Sequence, residues 1–458
     1  MKHRHVQLGV SRISNPCFIR IRLWLAFVWS RLMPPSVFPG PTSLLVALVC
    51  VFLIHQIPVQ ADTLDVTVEF VGDSALSKTA TGRWVGGSHD TVILQPATTC
   101  ERTLRCTFPG SVREVRPKFV VQLVNGDRLM ARECEGQDDQ LQVELLEGPA
   151  IKFPISYVQS IVGPAARAEE AGQLWRTVAD QDQLHLDHNE TFSGDFREAD
   201  RTTVKFQLAS PKVVRENRDR LFAWNRVQGL VMAQSLLGQP PMSTNESLWT
   251  LRSGTMLAVA KWERTPAGTF SLWPSVCVSP EKDAAVTTSV SLGEDQVHAV
   301  NFFNQQRTLL SVLKPKVISK PGLVDALPWQ LNRNVRGGPL VVRGTPYARG
   351  FGVWGGDVLE VSLDRRFSRL RTLAGVDDSA TGATPPNEVV ADECVFSIEL
   401  DNREVYRSPP QSMTSPLLAI PPIDLQGANR LRLTVSPNGP DNRGTCGDWI
   451  LPVLEGAN

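Results

Sequence analysis

Apolar and polar residues alternate one for one in stretch after stretch of this 458-residue chain. A period of two suits a β-strand with one face buried and one wet. In the last third, Leu359, Val361 and Leu363 alternate with Glu360 and Ser362. Phe396, Ile398 and Leu400 do so with Ser397 and Glu399, and Leu431, Leu433 and Val435 with Arg432 and Thr434. Turn formers separate these runs: Gly355-Gly356, Asp401-Asn402, Gly427 and Pro437-Asn438-Gly439-Pro440. Short strands between such turns over 327–458 predict a jelly-roll β-sandwich.

The region before it carries a self-similar pattern. Each copy opens on an apolar anchor, a polar turn and a second apolar residue six positions on: Phe70 and Leu76, Leu123 and Leu129, Leu186 and Phe192, Leu251 and Leu257. Each closes on a spaced apolar pair: Val112 and Val115, Val158 and Ile161, Val227 and Leu230, Val297 and Val300. Asn125-Gly126 is a hairpin signal in which both turn positions are expected at positive φ. The expectation is four small antiparallel β-barrel-like modules, five-stranded and SH3-like or Sm-like, two over 62–163 and two over 181–310. Between the pairs, 164–180 is rich in Ala, Glu and Arg, with Pro164 at its start, and predicts one short linking helix in which Trp175 packs. Lys314-Pro315-Lys316 and Lys320-Pro321-Gly322 predict a stiff linker over 311–326. The fold class is therefore all-β.

The first 61 residues stand apart, with six basic residues and no acidic one. Leu44 to Ile54 is an apolar run of eleven residues, short of the ~20 that span a bilayer. Val59-Gln60-Ala61 follows with residues that a signal peptidase reads. The segment 1–61 is predicted to be a long signal peptide cleaved after Ala61; an uncleaved anchor and a true start near Met33 are the alternatives. The mature chain, with 41 basic and 47 acidic residues, has no membrane span and lacks the positive excess that nucleic-acid binding needs. Its expected localisation is secreted, periplasmic or cell-surface. Six cysteines remain after Ala61, an even number that permits disulfides in an oxidising compartment without fixing their pairing. Cys394 and Cys446 lie in the C-terminal domain, each at the start of a strand, and are a candidate pair. No cysteine and histidine spacing suggests structural zinc.

Four blocks in order carry a family resemblance: GGPLVVRGTPYARGFGVWG (337–355), VLEVSLDRRFSRLRTLAGVDDSATG (358–382), VFSIELDNREVYRSP (395–409) and CGDWILPVL (446–454). Together they resemble NPCBM, the carbohydrate-binding module first noted beside glycoside hydrolase family 98 catalytic domains. The resemblance covers the C-terminal domain alone and implies a galactose-binding-like β-sandwich that holds a glycan without catalysis. The family's opening block usually has histidine where this chain has Trp354.

Sugar sites pair an aromatic face with a few planar hydrogen-bonding groups. Tyr347 and Trp354 are candidate aromatic faces, with packing under the sandwich rim as the alternative. Asp377 and Asp378 are candidate hydroxyl acceptors or calcium ligands, with a turn cap as the alternative. Asp448 and Trp449 close the family motif and read as a turn-capping carboxylate and a core ring. No cofactor is called for. Asp377 and Asp378 are too close in sequence to flank a glycosidic bond, and no nucleophile or phosphate motif is present. The chain reads as an exported, non-catalytic glycan binder. Its alternatives are a structural or protein-interaction component of the envelope, and an accessory or cryptic hydrolase.

Overall fold

A computed structural model describes residues 65–456 except 72–76, 89, 96–97, 102, 114, 138, 168–169, 172–173, 175–178, 210–218, 234–235, 238–245, 266, 278–288, 305, 319–328, 339, 384–392 and 440–444. The predicted signal peptide, Leu76, Trp175 and much of the expected helix lie outside the described residues. The protein is all-β, and its strand ladders are antiparallel.

Four five-stranded modules occupy 65–107, 119–162, 182–231 and 247–302. In the second, Phe119–Leu123 pairs with both Arg128–Gln137 and the last strand, Val158–Val162. The ladder then runs on through Gln140–Leu145 to Ala150–Pro154. The other three modules repeat this order. The reason is local. Alternation puts Leu141, Val143 and Leu145 inside and leaves Gln140, Gln142 and Glu144 on the outer face. A single 3-10 turn, Ile155–Tyr157, then redirects the chain into the closing strand.

The opening hairpins differ from expectation in one respect. Gly126 has φ +92°, but Asn125 is not in the left-handed region. The turn is a longer type with one glycine bulge: Gly126 N donates to Leu123 O (3.0 Å) and Leu123 N to Asp127 O (2.9 Å). Leu251 to Thr255 repeats it, with Gly254 at φ +89°. The first module also closes elsewhere than expected. Its last strand is Thr103–Thr107, while Val112 and Val115 lie outside any strand and Val115 is 43% exposed. Thr103 stands at the start of that strand, where the other modules have valine, its buried hydroxyl donating to Cys100 O at 2.7 Å. A search for a valine passes over it.

Modules join through their closing strands, Val158–Val162 with Val227–Val231 and Thr103–Thr107 with Val297–Phe302. Their cores merge into one cluster. Trp84 of the first module meets Trp262 and Phe270 of the fourth edge-on at 5.2 and 5.1 Å.

From Arg307 on, two sheets enclose a second core. One holds Gly350–Trp354, Cys446–Gly456 and Phe367–Val376; the other holds Val358–Ser362, Arg430–Pro437, Cys394–Leu400 and Arg403–Arg407. Where a linker was expected, Lys316–Ile318 pairs with Val358–Ser362. Just before it, Arg307–Leu309 pairs with Cys446–Gly456. Pro315 directly precedes Lys316–Ile318, where its missing N–H costs no ladder bond.

The sandwich is held on the modules by a buried ion pair. Arg349 Nη2 lies 2.8 Å from Asp127 Oδ1, with side chains 6% and 0% exposed. The other Asp127 oxygen accepts Ala258 N of the fourth module at 3.0 Å. Nearby Asn332 Nδ2 donates to Asn125 O (3.1 Å). Removing one partner of a buried pair leaves a charge uncompensated. Arg349→Met is therefore expected to cost about 3–5 kcal/mol in urea unfolding. Asp127→Asn combined with Arg349→Met should recover part of that loss, because the carboxylate paired directly with Arg349 is then uncharged and Glu246, buried nearby, is freed of its repulsion.

Candidate functional site

Parts of the first, second and last family blocks meet in the first sandwich sheet, around Asp448. This residue lies within strand Cys446–Gly456, between two neighbours that contribute no side chain: it pairs with Gly352 on one side and Gly375 on the other. A Cβ at Gly352 would strike the Arg333–Val335 backbone, and one at Gly375 would come within 2.7 Å of Val342. The two glycines thus let a loop and the hairpin Leu340–Tyr347 lie directly on the sheet. Asp448 beneath them is 1% exposed, and neither carboxyl oxygen has a hydrogen-bond partner among the described residues. It does not cap a turn, as the sequence suggested.

Asp377 and Asp378 hold that roof down. Asp377 accepts Asn334 Nδ2 (2.9 Å), Ser379 N (2.8 Å) and Val341 N (2.9 Å). Asp378 accepts the backbone N–H groups of Arg343 (2.9 Å) and Gly344 (2.7 Å). Those two turn residues have φ of +52° and +72°, the geometry of a two-residue hairpin turn. Both carboxylates therefore anchor backbone. Among the described residues no group of three or more His, Cys, Asp or Glu gathers to hold a metal ion.

Of the aromatic candidates, Trp354 is 6% exposed and belongs to the sandwich core. It ends the strand Gly350–Trp354, which is buried along its whole length. The glycines after it form a tight turn, with Asp357 N donating to Trp354 O at 3.1 Å. Its indole N–H has no partner among the described residues. Tyr347 is half-buried on the hairpin; burial raises its hydroxyl pKa, and Arg105 of the first module opposes that shift. Trp449 is a core ring, edge-on to Phe396 at 5.3 Å.

Cys394 and Cys446 are buried free thiols, in strands of opposite sheets. The candidate bridge, between neighbouring strands or strand and loop, is not formed here: Cys446 lies near Cys394, with Arg336 beside Cys446. The sequence reading passed over Asn334, Gly352 and Gly375. An isolated glycine inside an alternating strand was the signal that could have found the last two.

Residues 307–455 match the family described as NPCBM/NEW2 domain. Among solved structures, the chain is similar to CBM51 from Clostridium perfringens GH95 in complex with methyl-galactose, at 19% identity over 32% of this chain and 99% of that one, with TM-score 0.28. It is similar to the tandem CBM51 modules of Sp3GH98, the family 98 glycoside hydrolase from Streptococcus pneumoniae SP3-BS71, at 10% identity over 85% and 88% of the two chains, with TM-score 0.27. CBM51-2 in complex with GlcNAc and INT domains from Clostridium perfringens ZmpB shares 13% identity over 41% of this chain and 36% of that one, with TM-score 0.28. No curated protein matches the chain.

Two predictions follow from the burial. Trp354→Ala should cost about 3–5 kcal/mol of stability, as a core ring does, read from the shift of the urea midpoint. Asp448 has its pKa raised well above the usual carboxylate range, first by burial and then by Asp377 beside it. Well below pH 4 the carboxyl is protonated folded or unfolded and contributes no slope. As pH rises towards the folded pKa the unfolded chain releases the proton and the folded one keeps it, so stability falls, by at most ~1.4 kcal/mol per pH unit. Asp448→Asn should flatten that decline, in urea titrations between pH 4.5 and 7, and be at least as stable as the parent at pH 7.

Proposed function

Because residues 307–455 form an NPCBM/NEW2 domain, we propose that this chain binds carbohydrate through its C-terminal sandwich and performs no catalysis on it. The observation that carries the reading is the coincidence of the family match with the sandwich, whose strands run from Arg307 to Gly456. The ligand face in this reading is the hairpin Leu340–Tyr347. Tyr347 is the one candidate ring of the pair that solvent reaches. Asp377 and Asp378 act as positioning residues, fixing the hairpin through its backbone, and Trp354 supports it from the core. Asp377 and Asp448 are both buried, Asp377 beside Asp448, where neither is open to a glycosidic bond, and this supports a binding role over hydrolysis by this pair.

Export belongs to the same reading: cleavage after Ala61 would deliver the chain to the periplasm, the cell surface or the medium, where glycans are encountered. Among the described residues no helix is long and apolar enough to cross a membrane. A second reading, a structural or protein-interaction component of the envelope, is favoured by the buried Arg349–Asp127 pair, which makes the sandwich part of a fixed body.

The test uses the full chain, because a fragment starting near 327 would lose two strands of the sandwich and expose Arg349. On a broad glycan array that includes galactosides and N-acetylglucosamine oligomers, the parent is expected to bind at least one class. Tyr347→Ala should then weaken that binding by about 1–3 kcal/mol with little change in melting temperature. A parent that binds no glycan, or an alanine variant with parental affinity, would overturn the assignment.

A further inference from the structure

The second and third modules meet along a furrow that lies outside the sandwich. At its floor Ala199 bridges Gly136, and the Phe196 ring occupies the space a side chain at Gly136 would need, 2.9 Å from the Cβ position. Two depressions of about 500 and 590 Å³ flank this contact and share Gln137 and Gln140. Each lies within the range of small-ligand sites.

One wall is the outer face of a three-stranded ladder. Gln137 faces Gln140 across its hairpin, and Gln142 pairs with Glu135 on one side and Lys152 on the other. The opposite wall carries Glu198, Lys205 and Leu221. Among the described residues the carboxamides of Gln137, Gln140 and Gln142 make no hydrogen bond or other polar contact. Each planar amide offers both a donor and an acceptor, so three of them in a row can engage the hydroxyl pairs of successive sugar rings.

Most of the furrow's charges are paired, and the two lining charges in neither ion pair nor side-chain hydrogen bond among the described residues, Lys152 and Asp139, are opposite in sign. Lys205 lies 3.4 Å from Glu198 and 3.6 Å from Asp219, and Arg201 lies 2.8 Å from Glu135. A charged ligand would have to break these pairs, whereas a neutral one leaves them in place. The second depression adds an apolar side, with Phe196, Ile155 and Met232 beside Leu236, which is 58% exposed. A pyranose has one apolar face and a hydroxyl rim, which matches this division. The strands meeting at the floor, Arg128–Gln137 and Thr191–Ala199, are paired on both sides. A polypeptide therefore finds no open edge at the floor; the strands paired on one side only, Ala150–Pro154 and Asp219–Ala223, lie in the outer walls.

We infer that this furrow is a second carbohydrate site, taking a neutral glycan chain of several rings through the three glutamine carboxamides. The site is separate from the sandwich, so a long polysaccharide engaging both would be held by two contacts in one molecule.

The experiment is calorimetric titration of the full chain with hexasaccharides of β-1,4-linked N-acetylglucosamine and of β-1,4-linked galactose, beside the matching disaccharides. The variant carries Gln137→Ala, Gln140→Ala and Gln142→Ala together; these side chains lie on the outer face, so its melting temperature should equal the parent's. Tyr347→Ala is titrated in parallel. The expected result is at least a ~10-fold loss of hexasaccharide affinity in the triple variant, equivalent to ~1.4 kcal/mol, a smaller loss for disaccharides, and a residual furrow signal in Tyr347→Ala. Equal hexasaccharide affinity in the parent and the triple variant would overturn the furrow and leave the sandwich reading standing. So would a parent that binds neither hexasaccharide but retains reduced, alkylated casein through the same glutamines.

Discussion

Asp127 is the point on which three parts of the protein close. It ends the opening hairpin of the second module, and its side chain is fully buried. Its two oxygens reach Ala258 N in the fourth module and Arg349 in the sandwich, 222 positions away. A reciprocal bond runs from Met130 N to Thr255 Oγ1 (3.2 Å). Thr255 holds in the fourth module the place that Asp127 holds in the second, so the same hairpin position is used twice to join the two modules. One of the two carries a carboxylate, and that charge is what the sandwich recognises. A buried ion pair contributes little net stability over a packed apolar pair. Its effect here is on geometry, because any other docking leaves a bare charge inside.

The same logic governs the sandwich end. Gly352 and Gly375 remove side chains on either side of Asp448, a roof of loop and hairpin settles into the space, and a carboxyl is sealed under it. Burial of an unpaired carboxylate is costly, and the group responds by keeping its proton. Asp377, beside it, is committed to three donors, two of them in the roof. Residues that look like ligand groups in the sequence therefore act one layer further in: they set the shape of the hairpin, and the hairpin presents what a ligand meets.

In the modules the balance is reversed. Their cores join through rings set edge to face: Trp84 and Phe270 between the first and fourth modules, and Phe119 and Trp224, 4.9 Å apart, between the second and third. Among the described residues, the outer face of the second module keeps three unpartnered amides, Gln137, Gln140 and Gln142. A rigid aromatic interior holds two module walls at a fixed spacing, and such a spacing is what a preformed site requires.

By itself the sequence determined the all-β class, the hairpins at Leu123 to Leu129 and Leu251 to Leu257, the closing strands at Val158, Val227 and Val297, and the four blocks of the C-terminal family. These signals are written within about ten residues, in a period of two and in turn chemistry. Only the tertiary structure decided that Thr103 closes the first module, that Lys316–Ile318 is a strand, that Trp354 and Asp448 are buried and that Arg349 meets Asp127. Alternation tells which side chains share a face of a strand. It does not tell whether a second layer covers the other face, and that depends on segments far along the chain.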